Sequence, residues 1–178
     1  NQQATSASSA SLTAARNAVD STVAIASDAL PVAYGEVPLS GARLDYLRDL
    51  HARYNLDPRQ LVIRVESFMG DFCLARNASG AYEPAADEVL QVNCDLTGNP
   101  FGDALSVQQR QSVAFANLLA SINSANSNTG SHIKVQLVEG GHQTTTPYPV
   151  RSATLTAGDW NRVAERNQVV KFTVQEAF

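Results

Sequence analysis

Hydrophobic and polar positions repeat along this chain with two different periods. Leu44, Leu47, Leu50 and Tyr54 fall at spacings of three and four, as do Phe115, Leu118, Leu119 and Ile122, and each set marks one face of a helix. Period-two stretches interleave with them. Ile133, Val135 and Leu137 alternate with polar neighbours, and VVKFTVQ sets Val170, Phe172 and Val174 against Lys171 and Thr173, as in strands with one covered and one wetter face. LVIRVESF at 61–68 opens apolar on nearly both faces, which suits the middle of a sheet. Before the first helix, VAYGEV at 32–37 predicts a short strand, and Ser40 is the expected helix cap. Asn55 and Asp57-Pro58 end that helix, so strand, helix and strand form a βαβ unit with parallel strands. Near the end of the chain, Thr156 or Asp159 caps a helix running to about Arg166.

The order of elements predicts an α+β fold: a two-layer βαβ-αβ-αβ sandwich, with a mixed four-stranded sheet and about three helices on one face. Residues 1–10 are nearly all Ala, Ser, Thr and Gln and read as linker. From Leu12, the positions Val19, Val23, Ala26 and Leu30 predict a weakly apolar helix to about Ala29, stopped by Pro31. It is a stalk, a partner surface, or packing for its own domain. The expected division is a linker and N-terminal helix over 1–30 and one domain over 31–178, with a cysteine-bounded insertion at 70–104.

Ser106 and Gln109 have the spacing of a capping box, which predicts a helix start there. Arg110 then lies in the first turn, where a cation is unfavourable by about 0.3–1 kcal/mol unless an anion is close. A guanidinium among free amides makes a receptor for carboxylate or phosphate. The alternative is pairing with Asp103 or another acid of the chain.

The 178 residues, 44% hydrophobic, suit one sizeable core and are short for two. Thirteen basic residues against 17 acidic ones give a net charge of −4 with no basic run, which argues against nucleic acid as a partner. No run approaches the roughly 20 apolar residues of a membrane span. The chain begins at Asn1 without Met, signal peptide or lipidation motif, so a membrane is expected only through a segment outside this sequence.

Cys73 and Cys94 flank a segment rich in turn residues. If DFCLA and VLQVNC pair as arms of a hairpin, the sulfurs face each other and close a disulfide, which points to an oxidising compartment. The alternative is two unrelated buried thiols. Two cysteines this far apart lack the spacing of zinc ligands, so no metal is expected. His51, His132 and His142 have no second ligand at metal spacing and read as surface or hydrogen-bonded histidines. No nucleophile elbow, phosphate loop or zinc-protease motif occurs, so neither enzyme activity nor a cofactor is expected. Asn77-Ala78-Ser79 is a glycosylation triplet of a kind common by chance.

From about Val32 to Val174, the order of elements and several motifs resemble the OmpA-like domain, a periplasmic module of outer-membrane and flagellar stator proteins. Leu105-Ser106-Val107-Gln108-Gln109-Arg110-Gln111-Ser112-Val113 resembles the family's Leu-Ser-x-x-Arg-Ala-x-x-Val; with Arg110 set against its arginine, Gln111 replaces the alanine. Gly140-Gly141 resembles Gly-x-Gly, and Arg166-Asn167-Gln168-Val169-Val170 resembles the entry to the last strand through Asn-Arg-Arg-Val. The chain departs from the pattern at three places. The family's Gly-x-Thr-Asp falls on Ser67-Phe68-Met69-Gly70-Asp71, Asn-Arg-Arg has become Asn167-Gln168-Val169, and the Asn before Leu-Ser is Gly102, with Asp103 beside it.

The resemblance implies noncovalent binding of peptidoglycan through the diaminopimelate of its stem peptide, in the periplasm of a bacterial cell envelope. Arg110 would hold a ligand carboxylate, Asp71 or Asp103 the ammonium, and Ser106, Arg166 and Asn167 would complete the site. The alternative function is a divergent domain that has lost this ligand and serves as a scaffold or homo-oligomerisation part of a secretion, pilus or motility complex.

Overall fold

The structure, a computed structural model, describes residues 23–129 and 132–177, with the backbone alone for 126–129. The linker and most of the N-terminal helix expected over 12–29 lie outside these residues. Where the two overlap, the expectation is corrected: Ala24–Pro31 is a strand, β1. Its small residues fit helical spacing as well as strand spacing, and a long-range partner decides, because β1 pairs antiparallel with the final strand from Ala24↔Gln175 to Pro31↔Val169. No strand forms at 32–37. There the chain turns at Tyr34 and Gly35, and Val32 is buried at the sheet end with its N–H donating to the Gln168 carbonyl (2.9 Å).

Helix α1, Ala42–Tyr54, buries Leu47 and Leu50 as the pattern predicts, with Leu44 and Tyr54 packed against the core. Ser40 does not cap it. The Ser40 hydroxyl donates to the Val37 carbonyl (2.8 Å), and Gly41, at φ 52°, occupies the cap position. Arg43 is buried and clasps the preceding loop, with Nε on the Pro38 carbonyl (2.9 Å) and Nη2 on Glu36 (2.5 Å). That guanidinium hydrogen bond lowers the Glu36 pKa despite some opposing burial.

Strand β2, Leu61–Phe68, leads into the insertion, where Phe72–Arg76 (β3), Tyr82–Pro84 (β4) and Leu96–Gly98 (β5) form an antiparallel sheet in the order β4-β3-β5. The expected hairpin between DFCLA and VLQVNC is therefore corrected, since both neighbours of β3 are other segments and 91–93 forms a 3₁₀ turn. Cys73 and Cys94 nonetheless form a disulfide, with a Cα separation of 5.4 Å. A short helix α2, Pro100–Ala104, is followed by α3, Val113–Thr129, then β6, Ile133–Gly141, α4, Ala157–Asn167, and β7, Val169–Glu176.

The main sheet is mixed and four-stranded, ordered β1-β7-β2-β6. β2 runs parallel to β6 and antiparallel to β7, and β1 is also antiparallel to β7. The expected parallel pair of 32–37 with β2 does not form; β1 lies earlier in the chain and runs parallel to β2 with β7 inserted between them. Leu47 and Leu50 of α1, Phe115 and Ile122 of α3, and Ile63, Val65, Val170, Phe172 and Val174 of the sheet share one core. The third helix does not join that core. α4 packs on the insertion, where Trp160 and Ala157 meet Cys73 and Ala85, and Ala164 meets Phe72 and Leu74. Asn161 fastens this layer by accepting from the Cys73 N–H (2.7 Å) and donating to its carbonyl (3.1 Å). Gly70 permits the contact: a Cβ there would lie 2.0 Å from the Ala164 carbonyl oxygen.

Candidate functional site

Because β2 and β6 are parallel, their C-terminal ends emerge at the same edge of the sheet, and most of the residues singled out in the sequence gather there. β2 ends at Phe68 and delivers Asp71 into the insertion; β6 ends at Gly141 and delivers His142. Close packing defines this end, since a Cβ on Gly140 would lie 2.3 Å from the Phe68 ring.

His142 joins the two candidate acids. Its Nδ1 lies 2.7 Å from Asp71 Oδ1 and its Nε2 lies 2.7 Å from Asp103 Oδ1. An ionised carboxylate only accepts, so holding both at once requires both ring nitrogens to donate, which makes the ring an imidazolium. Partial burial disfavours that charge, but the hydrogen bond to Asp103 and the charge of Asp71 outweigh it and raise the His142 pKa. A histidine with a raised folded value stabilises the fold while protonated. Its contribution is complete below the unfolded value of about 6.5 and fades as pH rises through the folded value. Urea midpoints of the native protein should therefore fall between about pH 6.5 and about pH 9 by more than those of His142→Gln, and parallel profiles would refute the assignment.

Asp71 is held from both sides of its backbone. Its N–H donates to the Tyr148 hydroxyl (2.7 Å) and its carbonyl accepts from the Trp160 indole (2.8 Å), and the two rings stack with centroids 4.5 Å apart. Asn99 ties the insertion to the sheet by capping α2 at the Gly102 N–H (3.0 Å) and donating to the Gly70 carbonyl (2.9 Å) and the Gln168 side chain (2.5 Å).

The capping box forms as expected: Ser106 N–H donates to Gln109 Oε1 (2.9 Å) and Gln109 N–H to Ser106 Oγ (3.3 Å). What it opens is a 3₁₀ turn at Gln108–Arg110, not the α-helix. The chain breaks at Gln111, where Leu39 clamps it by donating to the Arg110 carbonyl and accepting from the Ser112 N–H, both 2.9 Å. α3 begins beyond, with Ser112 Oγ accepting from the Phe115 N–H (3.1 Å). Arg110 therefore precedes α3 and is not part of its first turn. Counted from Leu105, moreover, the family motif's arginine falls on Gln109, so Arg110 stands one residue late and Gln109 is spent on its cap.

The Arg110 side chain is 17% exposed and is held by its own chain, with Nε donating to the Leu105 carbonyl (3.2 Å) and Nη1 lying 3.5 Å from Glu139 Oε1. The acid it meets is thus Glu139, the less specific of the sequence expectations. Glu139 is itself 54% exposed and stands three residues before His142, within about 10 Å of extended backbone.

The remaining expected residues lie elsewhere or serve the fold. Arg166 is exposed on α4 beside Pro31 and Val169, lining a cleft of about 440 Å³ on the β1 side of the sheet. Asn167 is 1% exposed and spends its amide on the 145–146 loop, accepting from Thr145 and Thr146 N–H and donating to the Thr146 carbonyl. Sequence reading missed the roles of His142, Glu139, Tyr148 and Asn99. Gly140-Gly141 was the available signal for the first, since a glycine pair ending a strand marks a place where the next side chain is tightly aimed. Among the described residues, no group of three or more His, Cys, Asp or Glu is placed to hold a metal ion. Compared with known protein families, curated proteins and solved structures, the chain matches none.

Proposed function

We propose that this protein is an OmpA-like module of a bacterial cell envelope that holds peptidoglycan noncovalently, with Arg110 binding a carboxylate of the stem peptide and Asp71 with Asp103 binding its ammonium. One observation carries the reading: an arginine and a pair of acids from distant parts of the chain converge where the parallel strands β2 and β6 end. A zwitterion needs partners of both signs, and this edge carries an arginine and two acids, reached through Glu139 and His142 of the same strand end. The sequence resemblance supports the domain assignment, with Arg110 one residue beyond the motif's arginine position, as does an order of main-sheet strands and helices that agrees with the one it implies. The disulfide fits an oxidising compartment.

Isolated sacculi should sediment the protein, and Arg110→Ala should lower the bound fraction at least tenfold, the scale of one charged hydrogen-bonded pair, about 1.5–3 kcal/mol. Equal retention of the variant would refute the site.

A second reading has its own observation. Every charge at this edge already has a partner within the chain, Arg110 with Glu139 and both acids with His142, as in a site that has lost its ligand and kept its fold. That protein would be a scaffold in an envelope complex. Absence of sacculus binding by the native chain and by every site variant, together with a stable homo-oligomer, would decide for it.

A further inference from the structure

The main sheet ends in two edge strands, β1 and β6, and the chain treats them differently. On β6, Asn123 of α3 occupies the outward peptide groups of Val135, accepting from its N–H (3.0 Å) and donating to its carbonyl (3.3 Å). That side chain stands where a further strand would pair. β1 has no such plug among the described residues. Val32 donates to the Gln168 carbonyl (2.9 Å), and bonded pairs alternate along an antiparallel ladder, so Ala26, Asp28 and Leu30 exchange bonds with β7. Ser27 and Ala29 therefore present their N–H and C=O groups outward. The edge closes on either side of them. The register shifts between Ala24 and Ala26, and Pro31 has no N–H while its carbonyl accepts from Arg43 Nη1 (3.3 Å).

The two faces beside this edge differ in charge. Ala29 pairs with Lys171 and Pro31 with Val169, so these side chains share the sheet face opposite the one that sends Val170 and Phe172 into the core. On that face Ala29 and Pro31 meet Arg162, Glu165 and Arg166 of α4 in the cleft of about 440 Å³. Asp159 holds Arg162 (2.7 Å), but Arg166 and Lys171 have no ion pair among the described residues and together outweigh Glu165. The other face is apolar. There Ala26 and Leu30 pack on the margin of the core, and Asp28 is tied to the Tyr46 hydroxyl.

A strand laid against Ser27 and Ala29 sets its side chains alternately beside these two faces. We propose that the β1 edge docks an extended peptide by strand addition, with acidic residues on the Lys171 and Arg166 face and apolar residues on the Leu30 face. A second copy of this chain fits less well, because its own β1 would bring the uncharged Ser27, Ala29 and Pro31 to the cationic face. The docking edge is separate from the site at the ends of β2 and β6, since β1 and β6 border opposite sides of the sheet.

The test is an NMR titration of the full ¹⁵N-labelled chain with two acetylated, amidated heptapeptides, one alternating Val and Glu and the other Val and Lys, at millimolar concentration. The acidic peptide should shift the Ser27 and Ala29 amides along one saturating curve, and the basic peptide should not. Raising the salt from about 0.05 to about 0.5 M should weaken the binding, because the charges involved are exposed. The double variant Arg166→Glu/Lys171→Glu should bind the acidic peptide about fivefold less tightly or worse. Ala29→Pro removes an outward N–H that makes no bond to β7, so its melting temperature should stay near the native value while its affinity falls about tenfold. Ser27 and Ala29 amides unmoved by the acidic peptide, or moved equally by the basic one, would overturn the proposal. So would native affinity in the double variant or in a folded Ala29→Pro. Shifts of the same amides with protein concentration alone would overturn it in favour of a second copy as the occupant.

Discussion

Phe115→Ala should lower the stability of the domain by about 3–5 kcal/mol, read as a fall in the urea midpoint at unchanged slope. Phe115 is fully buried and stands at the first turn of α3, where it meets α1 and the inner face of the sheet. A domain of this size is stable by about 5–15 kcal/mol, so one residue removes a large share. The variant should also disturb the candidate site. The Phe115 amide closes the Ser112 cap, Ser112 and Arg110 are both bonded to Leu39, and loosening this entry frees the segment that sets Arg110. Ser112→Ala, which removes only the cap, should cost about 1 kcal/mol. A Phe115→Ala cost no larger than that of Ser112→Ala would show that the core is not organised around α3 as described.

Loss of the Cys73–Cys94 disulfide has the second large effect. The bond closes a sequence separation of 21 residues and contributes about 3 kcal/mol through chain entropy. Its loss acts on the insertion and α4, because Cys73 packs with Ala85, Ala157 and Trp160 and not in the main core. Reductant should lower the melting temperature of the native protein and leave Cys73→Ala/Cys94→Ala unchanged, at the lower value. The Trp160 environment should alter with the same treatment, since its indole bonds the Asp71 carbonyl next to this layer. A native protein indifferent to reductant would contradict the energetic role assigned to the bond.

The elements legible in the sequence were those whose partners are supplied by strong local patterns. α1, α3, β2, β6 and β7 each show an apolar period that matches their burial, and Thr156 caps α4 by accepting from the Asp159 N–H (3.2 Å) as its position predicts. β1 was not legible, because Ala24–Pro31 contains small and polar residues that specify no period and becomes a strand only beside β7. The same holds for the insertion. Its cysteines announced a covalent bond but not which segments pair around it, and a third strand, β5, takes the place expected for VLQVNC.

The site divides in the same way. Arg110, Asp71 and Asp103 were visible as charges near turns and helix starts, but the groups that engage them come from β6, and only the parallel register of β2 with β6 brings Glu139 and His142 to them. No spacing along the chain encodes that meeting. Asn167, a candidate ligand residue by motif, is buried and spends its side chain on bracing the 145–146 loop, a role that no local pattern announces.

The most direct measurement is an NMR titration of the ¹⁵N-labelled protein with a diaminopimelate-containing stem peptide, at mildly alkaline pH where the His142 clasp is weakest. The account predicts that the Arg110 Nε–H, the Asp71 and Asp103 amides and the His142 ring move together and saturate with one affinity. Movement confined to other surfaces, such as the cleft beside Arg166, or no movement at saturating peptide, would contradict it.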